Sequence, residues 1–375
     1  MRHSMHDDLR VERWGVRAIR YHGPGDVRLE DLPVPGPGPG ELQLRVATVG
    51  VCGTDVGEFV HGPRFHPIDT AHPHSGHSGP TIPGHEFSGW VNEVGDGVTG
   101  FSEGDLVAVG AGVSCGVCAS CQGGHTNLCR EYWTVGLHSN GGLAEAAVVP
   151  ASCTFNLSDS ALTPDLAAMT QPMSIAVHAT RRGRVVEGDM VTVLGAGGIG
   201  SFIVHAAAGA GATVTAVDLD PARLDTAARL GAASTIDVSA PRPDELLNDD
   251  KASVVFECTG RPESLLRAIQ LVADGGRVVV VGHQPEPVAV DFREVALDEL
   301  EIIGTQAHVF AQDFPGAVDL IAADPGAWAE VAPTVYPLDQ VVDVGLIPMA
   351  KGESPQIKVL FDPSADAPRL LRTET

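Results

Sequence analysis

The sequence predicts an α/β protein in which a doubly wound, parallel β-sheet is joined to a second, β-rich domain. Residues 192–218 read as an apolar strand, a glycine turn, an alanine-rich helix and a second strand, which together make one β-α-β unit. Two later apolar runs, 253–257 and 276–282, are typical of strands that a parallel sheet buries on both faces. Residues 41–49 instead alternate apolar and polar side chains, as half-buried strands do. These two strand patterns indicate two domains of different construction.

The glycine turn of the β-α-β unit has the spacing of a dinucleotide-binding site. Gly195, Gly197 and Gly200 follow G-x-G-x-x-G, which lets the backbone approach a pyrophosphate and points a helix N-terminus at its charge. Asp218 ends the second strand, where a carboxylate can bind an adenosine ribose and repel a 2′-phosphate. Arg223 is placed to lie near the adenine, although an ordinary surface role is the alternative. The sequence therefore predicts NAD as cofactor, bound by Gly195, Gly197, Gly198, Ile199, Gly200, Asp218 and Arg223.

Composition and charge exclude several classes of partner. The chain has 375 residues, 43% of them hydrophobic, and is long enough for two domains. Its net charge of -24 argues against a nucleic-acid partner. No apolar run approaches the roughly 20 residues that a bilayer requires, and the N-terminus is too polar for a secretory signal. We therefore expect a soluble, cytoplasmic protein that binds small molecules rather than nucleic acid or membrane.

Four of the seven cysteines form a compact pattern, Cys115-x2-Cys118-x2-Cys121-x7-Cys129. Four thiolates at such short spacing in a glycine-rich lobe can close a tetrahedral shell with no free position, which is typical of a structural zinc site. The odd total and the clustering fit a reducing compartment better than a disulfide framework. The sequence predicts a structural zinc on this quartet and ordinary packed thiols at Cys153 and Cys258.

A second metal site is predicted from Cys52 and His85. Cys52 follows the strand at 41–49, and His85 stands in Gly84-His85-Glu86, just before another strand-like run. A lone cysteine is most often a small buried hydrophobe. A thiolate and an imidazole brought together by a β-rich domain are, however, two ligands of a zinc site, and that site is catalytic when one position stays open.

These motifs resemble those of the zinc-dependent medium-chain alcohol dehydrogenase superfamily. Gly84-His85-Glu86-x-x-Gly89, followed by Gly95 and Val98, has the spacing of the family's zinc signature, and the cysteine quartet matches its structural-zinc lobe. The resemblance covers about residues 16–362 and is strongest to the 2,3-butanediol and sorbitol dehydrogenase branch. It implies a partly open, GroES-like β-barrel catalytic domain, a Rossmann nucleotide domain, two zinc ions per subunit, and a homodimer or homotetramer. The implied reaction is reversible oxidation of a secondary alcohol or vicinal diol, with NAD as hydride acceptor.

The resemblance also implies roles near the catalytic zinc, with two departures from the family pattern. Thr54 stands where relatives place the hydroxyl that takes the alcohol proton, but Gly57 replaces the histidine that usually passes this proton onward. Gln171 stands where relatives usually carry Glu or Cys, as a third zinc ligand or its neighbour; capping of a helix is its alternative role.

Charge at the metal predicts a further ligand. A neutral Gln171 leaves Zn²⁺ with one thiolate and a neutral imidazole, which is a net positive charge in a dry cleft. We therefore expect Glu86, the anion next to His85 in the sequence, to enter the shell. The predicted catalytic residues are Thr54, Cys52, His85 and Glu86, and the predicted ligands of the catalytic zinc are Cys52, His85, Glu86 and Gln171.

Other functions share part of this pattern. Polyol, glucose and threonine dehydrogenases carry the same motifs, whereas a zinc-free quinone reductase is disfavoured by Cys52, His85 and the cysteine quartet. A catalytically inactive NAD-binding regulator or scaffold is the alternative from another class, and Gln171 is its best support. The five histidines between His61 and His77 are interpreted as part of a solvated loop rather than as another metal site.

The predicted domain limits follow from these assignments. Residues 1–15 are expected to form a polar extension, and 16–173 together with 313–362 the zinc-containing catalytic domain. Residues 174–312 are expected to form the nucleotide domain, and 363–375 a loose tail.

Overall fold

The computed structural model describes residues 15–239 and 251–374, and the predicted extension at 1–15 lies almost entirely outside them. The chain divides into two compact units after Gln171 and after Glu330. The sequence placed the second limit at residue 312. The later limit has a physical cause, because Trp328 is fully buried and its ring stacks on Phe202 of the second unit at a centroid distance of 5.0 Å.

The first unit is built mainly from antiparallel strands. Strands β1 and β2 form a hairpin, β6 and β7 form a small pair, and the others form one sheet in the order β18-β16-β17-β3-β4-β5-β9, with β8 paired to β3. The strands are β1 (Val16–Gly23), β2 (Asp26–Leu32), β3 (Glu41–Val51), β4 (Glu86–Val94), β5 (Leu106–Val109), β6 (Gly112–Val113), β7 (Trp133–Thr134), β8 (Ala146–Pro150), β9 (Thr154–Asn156), β16 (Thr334–Pro337), β17 (Val359–Asp362) and β18 (Arg369–Leu370). The long strand β3 is the centre, since it pairs antiparallel with β4, β8 and β17.

Short helices join these strands. They are α1 (Gly53–His61), α2 (Ala119–Gln122), α3 (Pro164–Ala167) and α11 (Ile347–Lys351), with 3-10 turns at Thr126–Leu128, Ala151–Cys153 and Leu338–Gln340 and a π-helical turn at Val341–Leu346. The core of the unit is the apolar face of the sheet, where Leu42, Leu44 and Phe87 are almost completely buried.

The second unit is a parallel sheet with the strand order β12-β11-β10-β13-β14-β15. Its strands are β10 (Met190–Leu194), β11 (Thr213–Asp218), β12 (Ser234–Asp237), β13 (Ala252–Glu257), β14 (Val272–Val280) and β15 (Glu301–Gly304). Its helices are α4 (Thr170–Arg182), which begins at the end of the first unit, α5 (Gly198–Gly209), α6 (Pro221–Arg229), α7 (Pro262–Leu271), α8 (Phe292–Leu297), α9 (Phe310–Ala323) and α10 (Pro325–Val331). The strand order reverses between β10 and β13, as a doubly wound sheet requires, and the prediction of a partly open barrel domain with a Rossmann domain is confirmed.

The C-terminal segment differs from the prediction of a loose tail at residues 363–375. Strand β18 pairs with β16, and the guanidinium of Arg369 forms ion pairs with Asp165 at 2.6 Å and with Asp362 at 2.9 Å. Asp165 is buried and also accepts a hydrogen bond from the Thr48 hydroxyl. The prediction was wrong because these long-range partners leave no pattern in the local sequence.

Among the described residues, no helix has both the length and the apolar character needed to cross a bilayer.

Candidate catalytic zinc site, structural zinc lobe and nucleotide pocket

The pairing of β3 with β4 brings three of the predicted zinc ligands together. Gly50 is the register partner of Glu86, so Cys52, just after β3, lies near His85, just before β4. One ligand atom from each of Cys52, His85 and Glu86 lies within 4.8 Å of the other two. Gly50 makes room for this arrangement, because a Cβ there would lie 2.7 Å from the Glu86 carboxylate. The sheet register, rather than any single loop, therefore builds the site.

Asp55 is a buried residue of this site that the sequence interpretation did not include. It lies in the first turn of α1, where its Oδ2 accepts a 2.8 Å hydrogen bond from the Cys52 amide. Its Oδ1 lies 3.6 Å from Nδ1 of His85. Burial alone lowers the pKa of His85, but the Asp55 carboxylate more than offsets this effect and raises it well above the ordinary value. Asp55 thus connects the backbone of one candidate ligand to the imidazole of another.

Lys358 is the second residue that the sequence interpretation did not include. It immediately precedes β17, is 4% exposed, and places Nζ 2.6 Å from Oε2 of Glu86, which is itself 2% exposed. Burial alone lowers the pKa of Lys358, but the Glu86 carboxylate and the Cys52 thiolate offset this and raise it above the ordinary value. Glu86 is therefore an ion-pair partner of a buried lysine as well as a candidate ligand.

Thr54 and Gln171 take different positions relative to this cluster. The Thr54 hydroxyl lies 3.9 Å from Sγ of Cys52, so the chain does place a hydroxyl next to the candidate metal ligand. Gln171 is buried in the first turn of α4. The structure thus brings Thr54, Cys52, His85 and Glu86 together, whereas Gln171 as a zinc ligand stays a prediction.

The donor set of this cluster fits zinc. Sulfur, imidazole nitrogen and carboxylate oxygen are the atoms that Zn²⁺ binds in proteins. Metal-binding histidines also commonly direct their second ring nitrogen toward a carboxylate, as His85 does toward Asp55. Three protein ligands leave a fourth position for water or substrate, which distinguishes a catalytic from a structural zinc site.

The cysteine quartet fits a closed, structural zinc site. Cys118 Sγ lies 3.5 Å from Cys121 Sγ and 3.9 Å from Cys129 Sγ, and Cys129 Sγ lies 3.5 Å from Cys115 Sγ. Four sulfurs tetrahedrally placed about 2.3 Å from one zinc ion would lie about 3.8 Å apart, close to these distances. The backbone amide of Cys121 is the first cause that lowers the pKa of Cys118, to about 6, whereas burial is the first cause that raises the pKa of Cys121, to about 11. The lobe thus holds four sulfurs at zinc-binding distance and favours thiolate in at least one of them.

The glycine-rich turn leads from β10 into α5 and is shaped for a close backbone approach. Gly195 has a φ of +94°, and a Cβ on Gly200 would lie only 1.7 Å from the Gly195 carbonyl oxygen, so Gly200 must lack a side chain. The turn lines a cavity of about 860 Å³ within the second unit. All seven residues predicted to bind NAD line this cavity: Gly195, Gly197, Gly198, Ile199, Gly200, Asp218 and Arg223.

Asp218 is held in a fixed orientation at the end of β11. Its Oδ2 accepts a hydrogen bond from the Ala196 amide at 2.7 Å, and its Oδ1 accepts one from the Leu219 amide at 2.8 Å. The guanidinium of Arg223 lies 3.8 Å from Asp218 and 3.6 Å from Asp220. A carboxylate held in this way can accept hydrogen bonds from ribose hydroxyls.

Comparison with known proteins agrees with this arrangement. Residues 38–159 match the alcohol dehydrogenase GroES-like domain, and residues 198–323 match the zinc-binding dehydrogenase family. The (R,R)-butanediol dehydrogenase of Bacillus subtilis (strain 168) is 30% identical over 357 residues, which are 93% of this chain and all of the relative. The chain belongs to the zinc-dependent medium-chain alcohol dehydrogenase superfamily. Within this superfamily, human sorbitol dehydrogenase is 32% identical over 359 residues, which are 92% of this chain and 96% of the relative.

Solved structures of other superfamily members have the same architecture. The crystal structure of 2R,3R-butanediol dehydrogenase from Bacillus subtilis superposes with a TM-score of 0.85 at 30% identity, covering 93% of this chain and 100% of that one. A zinc-binding dehydrogenase from Sinorhizobium meliloti 1021 bound to NADP has a TM-score of 0.81 at 30% identity, with 93% and 99% coverage. A short chain alcohol dehydrogenase from Escherichia coli CFT073 complexed with NADH has a TM-score of 0.82 at 28% identity, with the same coverage. The resemblance to the butanediol and sorbitol dehydrogenase branch is thereby confirmed.

Two of the site residues that the sequence interpretation did not include could have been found from features of the sequence. Lys358 is one of only three lysines and stands before the apolar run 359–361, where a charged residue is unexpected. Asp55 is three residues after Cys52, the usual spacing of an acidic residue that accepts a hydrogen bond from the amide preceding a helix.

His66 is buried, although the histidine-containing loop was predicted to be solvated. Nothing in the local sequence separates His66 from its exposed neighbours.

Proposed function

We propose that this chain oxidises a secondary alcohol or vicinal diol to the ketone, reversibly, with NAD and a catalytic zinc, as a 2,3-butanediol dehydrogenase does. The observation that carries the proposal is the compact group of Cys52, His85 and Glu86, beside which stands the Thr54 hydroxyl. Zinc bound there would act as a Lewis acid and lower the pKa of an alcohol hydroxyl.

The chain's own residues have distinct roles in this proposal. Cys52 and His85 hold the metal, and Asp55 orients the His85 imidazole. Thr54 would accept a hydrogen bond from the substrate hydroxyl and take its proton, while its own hydroxyl proton passes to the nicotinamide ribose and water, because Gly57 replaces the histidine that usually relays it. Glu86 is shared between the metal and Lys358, so it supplies negative charge without being committed to one cation. Gln171 offers a carbonyl oxygen to the metal or orients its water.

The same proposal includes the cofactor and the second zinc. Asp218 favours NAD over NADP, because its carboxylate accepts ribose hydroxyls and repels a 2′-phosphate. Arg223 lines the same cavity, where it would lie near the adenine. The quartet Cys115, Cys118, Cys121 and Cys129 holds the structural zinc, which brings the total to two per subunit. A homodimeric or homotetrameric assembly and a cytoplasmic location stay predictions from the sequence.

A polyol is the second candidate substrate class. It is favoured by the 32% identity to human sorbitol dehydrogenase over nearly the whole of both chains. Polyols and vicinal diols both present a secondary hydroxyl beside a second hydroxyl, so the zinc chemistry is the same and only the contacts to the remainder of the substrate differ. A glucose or threonine dehydrogenase would also use these ligands.

The test combines a metal count with a substrate panel. Zinc is measured in metal-replete protein, and NADH formation is followed with 2,3-butanediol stereoisomers, sorbitol, glucose and threonine. We expect two zinc ions per subunit and the highest kcat/KM with a butanediol. Cys52→Ser should abolish turnover and leave the fold intact, whereas Cys153→Ser is the matched control and should retain activity. Zinc-replete protein that turns over none of these substrates would favour the inactive regulator instead.

A further inference from the structure

Three buried polar atoms near the candidate catalytic metal have no hydrogen-bond partner within residues 15–239 and 251–374. They are Oδ1 of Asp55, Nε2 of His66 and Nδ1 of His85, on side chains that are 4%, 4% and 6% exposed. Asp55 Oδ1 and His85 Nδ1 are 3.6 Å apart, too far for a good direct hydrogen bond. The Asp55 carboxylate raises the pKa of His66 and the His85 ring lowers it, so the charges of both groups reach the His66 ring. Buried polar groups are rarely left unsatisfied, so this cluster requires an explanation.

The tautomer of His66 follows from its other ring nitrogen. Nδ1 lies 2.9 Å from the carbonyl oxygen of Leu137, and because a carbonyl can only accept, Nδ1 carries the proton. Nε2 therefore presents a lone pair. Burial is the main cause that lowers the pKa of His66, which favours this neutral ring.

The loop that carries His66 is held firmly. Glu58 of α1 is 1% exposed, and its carboxylate accepts hydrogen bonds from the backbone amides of Arg64 at 2.9 Å and Phe65 at 3.1 Å. The ring of Tyr21 packs on His66 at a centroid distance of 4.6 Å. These contacts place the imidazole in the protein interior.

The three unpartnered atoms have complementary hydrogen-bonding requirements. When Nε2 of His85 binds a metal, its Nδ1 is a donor, whereas Asp55 Oδ1 and His66 Nε2 are acceptors. The single N–H of His85 cannot donate directly to two acceptors that both lie beyond hydrogen-bond distance. A single buried water would meet all three requirements, since it would accept from His85 and donate to Asp55 and His66, and three is the usual number of hydrogen bonds for a buried water.

We propose that His66 is a positioning residue for the zinc ligand His85, and that it acts with Asp55 through one buried water. This inference rests on the proposed catalytic zinc site. The carboxylate and the second imidazole together fix the tautomer and the direction of the His85 ring. His66 is thus distinguished from the other four histidines of its loop, and the solvated-loop interpretation does not hold for it.

The test compares His66→Met, which removes the acceptor at similar size, with His66→Gln, whose side-chain carbonyl restores one. His74→Met, at an exposed histidine of the same loop, is the matched control. The readouts are the loss of the catalytic zinc to a chelator, with the structural zinc as internal reference, and the d–d absorption of the cobalt-substituted catalytic site. We expect about tenfold weaker retention and a changed cobalt spectrum in His66→Met, because loss of such a partner typically costs ten- to a hundredfold in metal affinity. His66→Gln should lie near wild type, and so should His74→Met.

Wild-type retention and spectrum in His66→Met would overturn the inference, and so would equal losses in His66→Met and His66→Gln, since packing would then be the cause. A measurement on the unaltered protein does not depend on variant folding. Nitrogen-15 NMR of the zinc-loaded enzyme should show His66 protonated at Nδ1, and protonation at Nε2 would also overturn the inference. If wild-type protein binds no catalytic zinc, the proposed function fails instead, and the two failures are thereby distinguished.

Discussion

Replacing Lys358 by Met should destabilise the zinc-free protein strongly and the zinc-loaded protein much less. The change leaves the Glu86 carboxylate, which is 2% exposed, without its lysine partner. When zinc is present, Glu86 has another cation close by, because its ligand atom lies within 4.8 Å of those of Cys52 and His85. The two states should therefore respond differently to the same substitution.

The size of the effect follows from the ion pair. At the 2.6 Å separation of Nζ and Oε2, Coulomb's law gives an attraction of about 6 kcal/mol at an effective dielectric constant of about 20. Desolvation of the two ions offsets part of this, and removal of one partner of a buried pair typically costs about 3–5 kcal/mol. We expect a loss of that size in the free energy of unfolding when the catalytic site is zinc-free. We also expect Lys358→Met to bind zinc at least about tenfold more tightly than wild type. Each 1.4 kcal/mol of the lost stability that zinc binding recovers is about a factor of ten in affinity.

The assay is denaturant unfolding of wild type, Lys358→Met and Lys351→Met, each with the catalytic zinc present and after its selective removal. Lys351 is exposed in the last turn of α11, so Lys351→Met should match wild type in both states. Zinc-free Lys358→Met within about 1 kcal/mol of wild type would refute the ion-pair reasoning, because exposed pairs contribute only about that much. Weaker zinc binding in this variant would refute the proposal that Glu86 reaches the metal.

Four further predictions address the other sites. Asp218→Ser should narrow the preference for NAD over NADP, mainly by lowering KM for NADP. Equal turnover of both cofactors by wild type would contradict the assignment of Asp218 to the adenosine ribose. Cys115→Ser should lower the melting temperature and reduce the zinc content to one ion per subunit, because a closed zinc site contributes folding energy. Metal-replete wild type with a single zinc per subunit would contradict the structural zinc site. Gln171→Glu should raise the pH at which kcat for alcohol oxidation levels off, since an added carboxylate makes the metal less electrophilic; an unchanged pH profile would exclude Gln171 from the site. Burial alone raises the pKa of Asp313, but hydrogen bonds from His178 and Arg181 lower it from 3.8 to about 2. Its contribution to stability is therefore complete only above about pH 5 and is lost as the pH falls toward 2. Asp313→Asn should flatten the pH dependence of the unfolding free energy over that range, and an unchanged slope would contradict this origin.

The sequence predicted those parts of the site whose residues lie close together along the chain. The quartet needs only one lobe to bring its sulfurs together, and the glycine turn and Asp218 belong to one β-α-β unit. Cys52 and His85 were paired because each lies beside a strand-like run of the β-rich domain, while the physical cause, the register of Gly50 with Glu86, appears only in the sheet. Lys358 is 272 residues from Glu86, and no periodicity links residues so far apart. The same holds for Arg369 and Asp165, which is why the C-terminal strand was predicted as a loose tail.

Charge at the catalytic site gives Glu86 a different role from the one that the sequence suggested. From the sequence, Glu86 was needed to neutralise Zn²⁺ bound to the Cys52 thiolate. The structure adds one anion, Asp55, and one cation, Lys358, which cancel each other. Zinc with Cys52, Glu86, Asp55 and Lys358 therefore sums to zero whether the carboxylate contacts the metal or the ammonium. If zinc is held by Cys52, His85 and Glu86 as proposed, a shift of the Glu86 carboxylate toward Lys358 would change no net buried charge, so the large cost of an uncompensated ion would not oppose it.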